Sequence, residues 1–137
     1  MHAHDIIAAH PQVRGQPNEA LIRCVEDCYD CAQACTSCAD ACIGESMVQH
    51  MTQCIRTCLD CADVCVTTGA LASRRTGSNA QLIARMLQVC EDACRICAQE
   101  CQRHARDMPH CRICADACLR CETACRQAAA SMNPTLQ

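Results

Sequence analysis

Residues 23–42 read RCVEDCYDCAQACTSCADAC, with cysteines at positions 24, 28, 31, 35, 38 and 42. The steps between them alternate four, three, four, three, four. An average step of 3.5 residues is the seam of a helix packed against other helices, so every marked position points at a shared axis. The stagger returns at Cys54, Cys58, Cys61 and Cys65, at Cys90, Cys94, Cys97 and Cys101, and at Cys111, Cys114, Cys118, Cys121 and Cys125. Together with Cys24, Cys28, Cys31, Cys35, Cys38 and Cys42, these runs hold all 19 cysteines of the chain.

Boundary signals divide the sequence around these runs. Asn18 is placed to cap a helix starting at Glu19, and Gly44 suits the residue just past its end. Ser46 followed by Gln49 reads as a capping box that opens a second helix, which fades near Ser73. Ser78 and Gln81 repeat the signal before a third helix running to about Arg106. Pro109 fits the first turn of a fourth, which should stop before Pro134. Four helices with short connections pack antiparallel, so the expected fold is all-α: an up-down-up-down four-helix bundle with a short N-terminal helical segment. At 137 residues the chain is expected to be one domain, with residues 1–17 as an N-terminal extension. His2, His4 and His10 surround Ile6 and Ile7 in that extension and read as exposed side chains of a short amphipathic turn that packs on a bundle end.

Alanine fills many positions beside the seam, including Ala32, Ala34, Ala39, Ala41, Ala62, Ala93, Ala98, Ala115, Ala117 and Ala124. Such small flanks let helices approach closely. Charged residues such as Glu26, Asp30, Asp60 and Arg95 fall off the seam and belong to solvated faces. The formal net charge is −3 and the basic residues are arginines spread along the chain, so the footprint of a nucleic-acid binder is missing. No segment has the length and apolarity of a membrane span, and the N-terminus lacks the pattern of a secretion signal. The expected compartment is therefore the cytoplasm, where thiols stay reduced.

A bundle built for stability alone would place Leu, Ile and Val on its axis, because cysteine buries less area and leaves a core underpacked. Disulfides between neighbours on one helix face close almost no loop and gain little. Soft metals explain the sulfur better: thiolates select Cu(I), zinc or iron–sulfur clusters. Four thiolates around each divalent zinc leave two negative charges to bury, and repeating that along a dry core is prohibitive. Cu(I) accepts two or three sulfurs, and with bridging thiolates one monovalent ion per thiolate makes the filled core neutral. Residues i and i+4 have Cβ atoms about 5–6 Å apart, so each C-x-x-x-C step can place two sulfurs around one ion. The segment from Cys24 to Cys42 spans about 27 Å, enough for many ions in a row. An iron–sulfur electron carrier is the rival from another class, but its ligands sit on loops near Gly or Pro and these sit within uninterrupted helices. A zinc or general thiol buffer is the chemically closer alternative. No base is placed beside a nucleophile, so no enzymatic activity is expected.

The four staggered runs resemble those of the copper storage proteins, in particular the signal-less cytosolic branch, over Glu19 to about Ala130. The resemblance implies a preformed bundle that stores many Cu(I) ions on its inward cysteines. It also implies assembly into a homo-oligomer such as a tetramer. Copper ions are the expected partners, with copper chaperones or small-molecule thiols as donors and acceptors.

Up-down topology gathers His50, His104 and His110 at one end of the bundle, with Met47, Met51 and Met108. His50 and Met47 are read as continuing the seam before Cys54, and His104 as continuing it after Cys101. These residues form an expected mouth through which Cu(I) passes on exchangeable imidazole and thioether ligands. Leu21, Ile83, Met86, Ala128 and Met132 are read as an apolar plug at the other end.

Overall fold

The structure is a computed structural model that describes residues 2–132. Its elements are α1 (Ala3–Ala8), α2 (Glu19–Ile43), a 3₁₀ turn (Val48–His50), α3 (Thr52–Ser73), α4 (Ala80–Gln102) and α5 (Pro109–Met132). Helix α2 packs on α3 and α5, and α4 packs on the same two, which closes the four long helices into a bundle. The seam expectation holds without exception: all 19 cysteines are free and buried.

The termini show which local signals won. Asn18 caps α2 as expected, its side chain accepting from the Leu21 amide at 3.1 Å and donating to Ser131 Oγ at 3.0 Å, which ties the start of α2 to the end of α5. Pro109 is the first residue of α5. Gly44 ends α2 with right-handed backbone angles, its amide bonding back to Asp40 and Ala41 carbonyls. The two capping boxes do not form. Residues after Gly44 make turns and the 3₁₀ segment, so α3 starts at Thr52 with Met51 before it and no side-chain cap. Asn79 rather than Ser78 precedes α4, again without a side-chain cap, and α4 stops at Gln102, four residues earlier than expected. Pro134 lies outside the described residues.

Small flanks work as expected: Ala32, Ala39, Ala62, Ala98, Ala115, Ala117 and Ala124 are buried between helices. One close approach depends on glycine. A Cβ at Gly69 would lie 3.0 Å from ring carbons of Tyr29, so the single aromatic side chain lies across α3 where that helix has no side chain. Helix α1 buries Ala3 and Ile7 against α2 and leaves Ile6 exposed. His4 reaches Glu19 at 3.0 Å, and His10 bonds the Gln12 amide and Thr76.

The apolar end is sealed by Leu21, Leu87, Ala72 and Ala128, with Thr68 bonding the Val64 carbonyl inside its own helix. Ile83 and Met132 pack at its edge. Leu87, not Met86, occupies the axial position on α4. Replacing Leu87 with Ala should cost about 2–4 kcal/mol in the metal-free protein, read from urea unfolding. Asn18→Ala should cost about 1 kcal/mol. Ser46→Ala should leave the midpoint unchanged, since Ser46 caps no helix.

Candidate metal centre

Four helices each present one stripe of sulfur, and antiparallel packing interleaves the stripes. Contacts run between adjacent helices, as in Cys24 to Cys125 at 3.6 Å, Cys31 to Cys118 at 3.7 Å and Cys54 to Cys101 at 3.8 Å. They also run diagonally from α2 to α4, as in Cys28 to Cys90 and Cys35 to Cys97, both at 3.9 Å. Sulfur from opposite walls therefore meets at the axis. The expected i,i+4 pairs form too, Cys24 with Cys28 and Cys31 with Cys35 both at 3.8 Å.

The sulfurs fall into overlapping groups of four whose Sγ atoms lie within 4.8 Å of one another. Cys28, Cys90, Cys121 and Cys125 form one near the apolar end. Cys31, Cys65, Cys94 and Cys121 follow, then Cys31, Cys35, Cys61 and Cys118, then Cys35, Cys97, Cys114 and Cys118. Cys38, Cys54, Cys58 and Cys101 lie toward the other end. Cys121, Cys31, Cys35 and Cys118 each belong to two of these groups. Separate tetrahedral zinc sites would each need four sulfurs of their own. Shared sulfurs suit ions that accept bridging thiolates and low coordination numbers, the chemistry of Cu(I).

Protons are distributed unevenly in this lattice. Hydrogen bonds from Cys125 and Cys28 stabilise the Cys24 thiolate and hold its pKa at about 5, against burial. Cys114, with Cys101 as the largest influence, is held at about 6. Cys61, receiving first from Cys118, lies at about 7. Other thiols are pushed the other way: Cys28, Cys35, Cys94 and Cys101 lie far above the ordinary thiol range, through their sulfur neighbours first and then their own burial.

At the histidine end the three imidazoles behave differently. His110 joins the sulfur lattice, its Nδ1 3.4 Å from Cys38 Sγ and 3.6 Å from Cys111 Sγ, while Nε2 meets Glu45 at 2.8 Å. Burial, the largest influence on this ring, disfavours its protonation, but Cys38 and Glu45 outweigh burial and raise its pKa. His104 lies a turn beyond Cys101, half-buried, with Nε2 3.2 Å from Glu100. His50 is exposed on the 3₁₀ turn, and Met47 is 51% exposed. The reading that these two continue the seam is therefore corrected. Helix α3 begins after them, and Met51, 1% exposed, takes the axial position before Cys54. Continuing the alternation one step of three back from Cys54 gives Met51 directly. Glu45, one step of three beyond Cys42, was likewise legible as a seam position and supplies the carboxylate that holds His110.

Fold and site together define a helical bundle whose core is a continuous thiol lattice, a store for soft monovalent metal. The chain belongs to the copper storage protein family, whose model matches residues 17–130. A copper storage protein from Streptomyces lividans, in a structure loaded with 10 copper equivalents, is 48% identical. The match covers 94% of this chain and 98% of that one, with a TM-score of 0.90. A structure of a cytosolic copper storage protein from Streptomyces lividans, with five coppers, is 53% identical over 82% of this chain and 93% of that one, with a TM-score of 0.80. A histidine-to-alanine mutant of the Streptomyces lividans protein is 51% identical over 85% of this chain and 97% of that one, with a TM-score of 0.83. Comparison with curated proteins gave no significant match.

Thiols held above their ordinary pKa favour the fold fully below that value, and the advantage is lost as pH rises past it, because the unfolded chain can then ionise while the buried groups cannot. Depressed thiols such as Cys24 and Cys114 act oppositely and lose their contribution as pH falls toward about 5 and 6 respectively. The metal-free protein should therefore be most stable near neutral pH, and its urea midpoint should fall at alkaline pH.

Proposed function

We propose that this chain stores Cu(I) in bulk, with the 19 cysteines as ligands, His110 as an additional ligand, and exchange with solvent at the histidine end. The observation that carries this reading is the sharing of Cys31, Cys35, Cys118 and Cys121 between adjacent groups of four sulfurs. Shared thiolates allow neighbouring ions to be bridged, so ion count can approach sulfur count and the core stays near neutral. His50, His104 and Met47 act as transient contacts on the approach, and Met51 and Met108 offer thioethers beneath them.

Storage requires binding and release rather than bond making in a substrate, so the protein is read as non-enzymatic. Copper carriers of the small-thiol or chaperone class load and unload it. Residence in the cytosol agrees with the cytosolic copper storage protein of Streptomyces lividans and keeps the thiols reduced. Among the described residues, no helix is long and apolar enough to cross a membrane. Copies of the chain associate through the outer faces of α3 and α4, where Leu59 and Val66, and Leu82, Val89 and Ile96, repeat at seven-residue spacing and are exposed. The outer stripe leaves the face of α2 and α5 free.

Anaerobic titration of the reduced protein with Cu(I) against a competing chelator should approach one ion per cysteine. A plateau at about four ions, the capacity of separate four-sulfur sites, would overturn bulk storage. Replacing His50, His104 and His110 together by Ala should slow loading and chelator-driven removal while leaving capacity nearly intact.

A further inference from the structure

The cysteines with any exposed surface are not those at the end of the stack. Cys42, Cys54, Cys101 and Cys111, nearest the histidine end, are all 0% exposed. Met51 is 1% exposed, and Met108 packs partly buried against the core. Only Cys38, at 2%, and Cys114, at 1%, have any exposure; every other cysteine has none. Both line one groove of about 340 Å³ between α2 and α5, beside the histidine end. Its α2 wall carries Ala34, Ser37 and Ala41, side chains too small to cover the sulfurs, and the exposed Ile113 forms its lip on α5. The corresponding groove between α3 and α4 differs: it reaches Cys61, which has no exposed surface.

We propose that exchange at the histidine end runs through its side, by this groove beside His110, rather than along the bundle axis, and that Cys38 and Cys114 are the first thiols to take copper from a Cu(I) complex of a small-molecule thiol. The proposal rests on the storage reading and names its route and its donor. A groove of this volume matches an ion with a ligand of a few residues' size, the scale of a small-molecule thiol. Transfer is ligand exchange without redox change. A Cu(I) ion held by two external thiolates forms a bond to Cys38 Sγ as one external Cu–S bond breaks, and the Cys38 proton leaves on the departing thiolate. Attack by the Cys114 thiolate then displaces the second external ligand, which departs as a thiolate, and leaves the ion between two protein sulfurs with the same net charge as it arrived. From there the ion moves inward, because Cys38 belongs to the group with Cys54, Cys58 and Cys101, and Cys114 to the group with Cys35, Cys97 and Cys118.

Placing leucines at Ala34 and Ala41 together fills the groove without touching a ligand. Loaded anaerobically from Cu(I)–glutathione and followed by stopped flow, the A34L/A41L protein should take up its first ions at least tenfold more slowly and reach the unaltered final stoichiometry. Ala93→Leu, the same change in the α3/α4 groove, should load at the unaltered rate. Uptake by A34L/A41L at the unaltered rate and full capacity would overturn the lateral route while leaving storage standing. A low plateau in the unaltered protein would overturn storage itself, and the route with it. A measurement without substitutions guards against misfolding of the double variant: brief alkylation of the metal-free protein by iodoacetamide, mapped by mass spectrometry, should mark Cys38 and Cys114 first. Marking Cys42 or Cys111 first would place the opening at the end of the bundle and sink the proposal.

Discussion

Everything in this molecule depends on how sulfur can be kept out of water without being left charged. A buried thiolate with no compensating partner is expensive, so each sulfur on the axis has to share a proton or a cation. Without metal, protons do this unevenly. Cys24 and Cys114 are held low by the sulfurs around them, and Cys28, Cys35 and Cys101 are pushed up. A monovalent cation replaces a proton with no change in charge, so the lattice can fill ion by ion without passing through a highly charged core. Divalent metal lacks that one-for-one balance, which is why charge and coordination number select the same ion.

The same constraint explains the rest of the bundle. Sulfur gives less hydrophobic stabilisation than branched aliphatics, so the fold must recover stability elsewhere. Ala32, Ala62, Ala98 and Ala115 let the helices come close enough for sulfurs on opposite walls to meet at 3.9 Å across the axis, as Cys28 and Cys90 do. Ordinary hydrophobic burial is concentrated at the end of Leu21, Ile22, Val25 and Leu87, where no metal chemistry competes for space. Alkaline weakening of the metal-free fold is the counterpart of this arrangement, since a core stocked with thiols is stable only while they keep their protons.

Most of this was legible in the sequence because one rule, alternating steps of three and four, governs every buried axial position. Carried past the cysteine runs, it gives Leu21 on α2 and Glu45 just after it, Met51 just before α3 and Thr68 on it, Leu87 on α4 and His104 just after it, and Ala128 on α5. Reading Met47, His50 and Met86 into the seam broke the alternation by taking a step of four twice. Helix starts were less legible. Ser46 and Gln49 have the spacing of a capping box, but that spacing says nothing about whether the chain needs extra length to turn between α2 and α3. The turns after Gly44 and the 3₁₀ segment take up that length, and α3 starts only where Met51 can enter the core. Solvent access was not legible at all, because it depends on which wall of a packed bundle is thin.

The two ends and the sides of the tube therefore have distinct chemistries. One end is closed by aliphatic side chains with no metal affinity. The other carries imidazoles whose outer nitrogens are engaged by carboxylates, Glu45 on His110 and Glu100 on His104. A carboxylate on one ring nitrogen orients the imidazole and makes the other nitrogen a better ligand. For His110 that other nitrogen, Nδ1, faces Cys38, so the cysteine with the most exposed surface is also the one with a nitrogen donor beside it. An ion arriving at Cys38 finds a third ligand before it meets the bridging lattice, and an ion leaving has one to hold it while the lattice lets go. Exchange and storage can then occupy neighbouring positions on the same helix, separated by one turn and by the difference between a mixed nitrogen–sulfur site and an all-sulfur one.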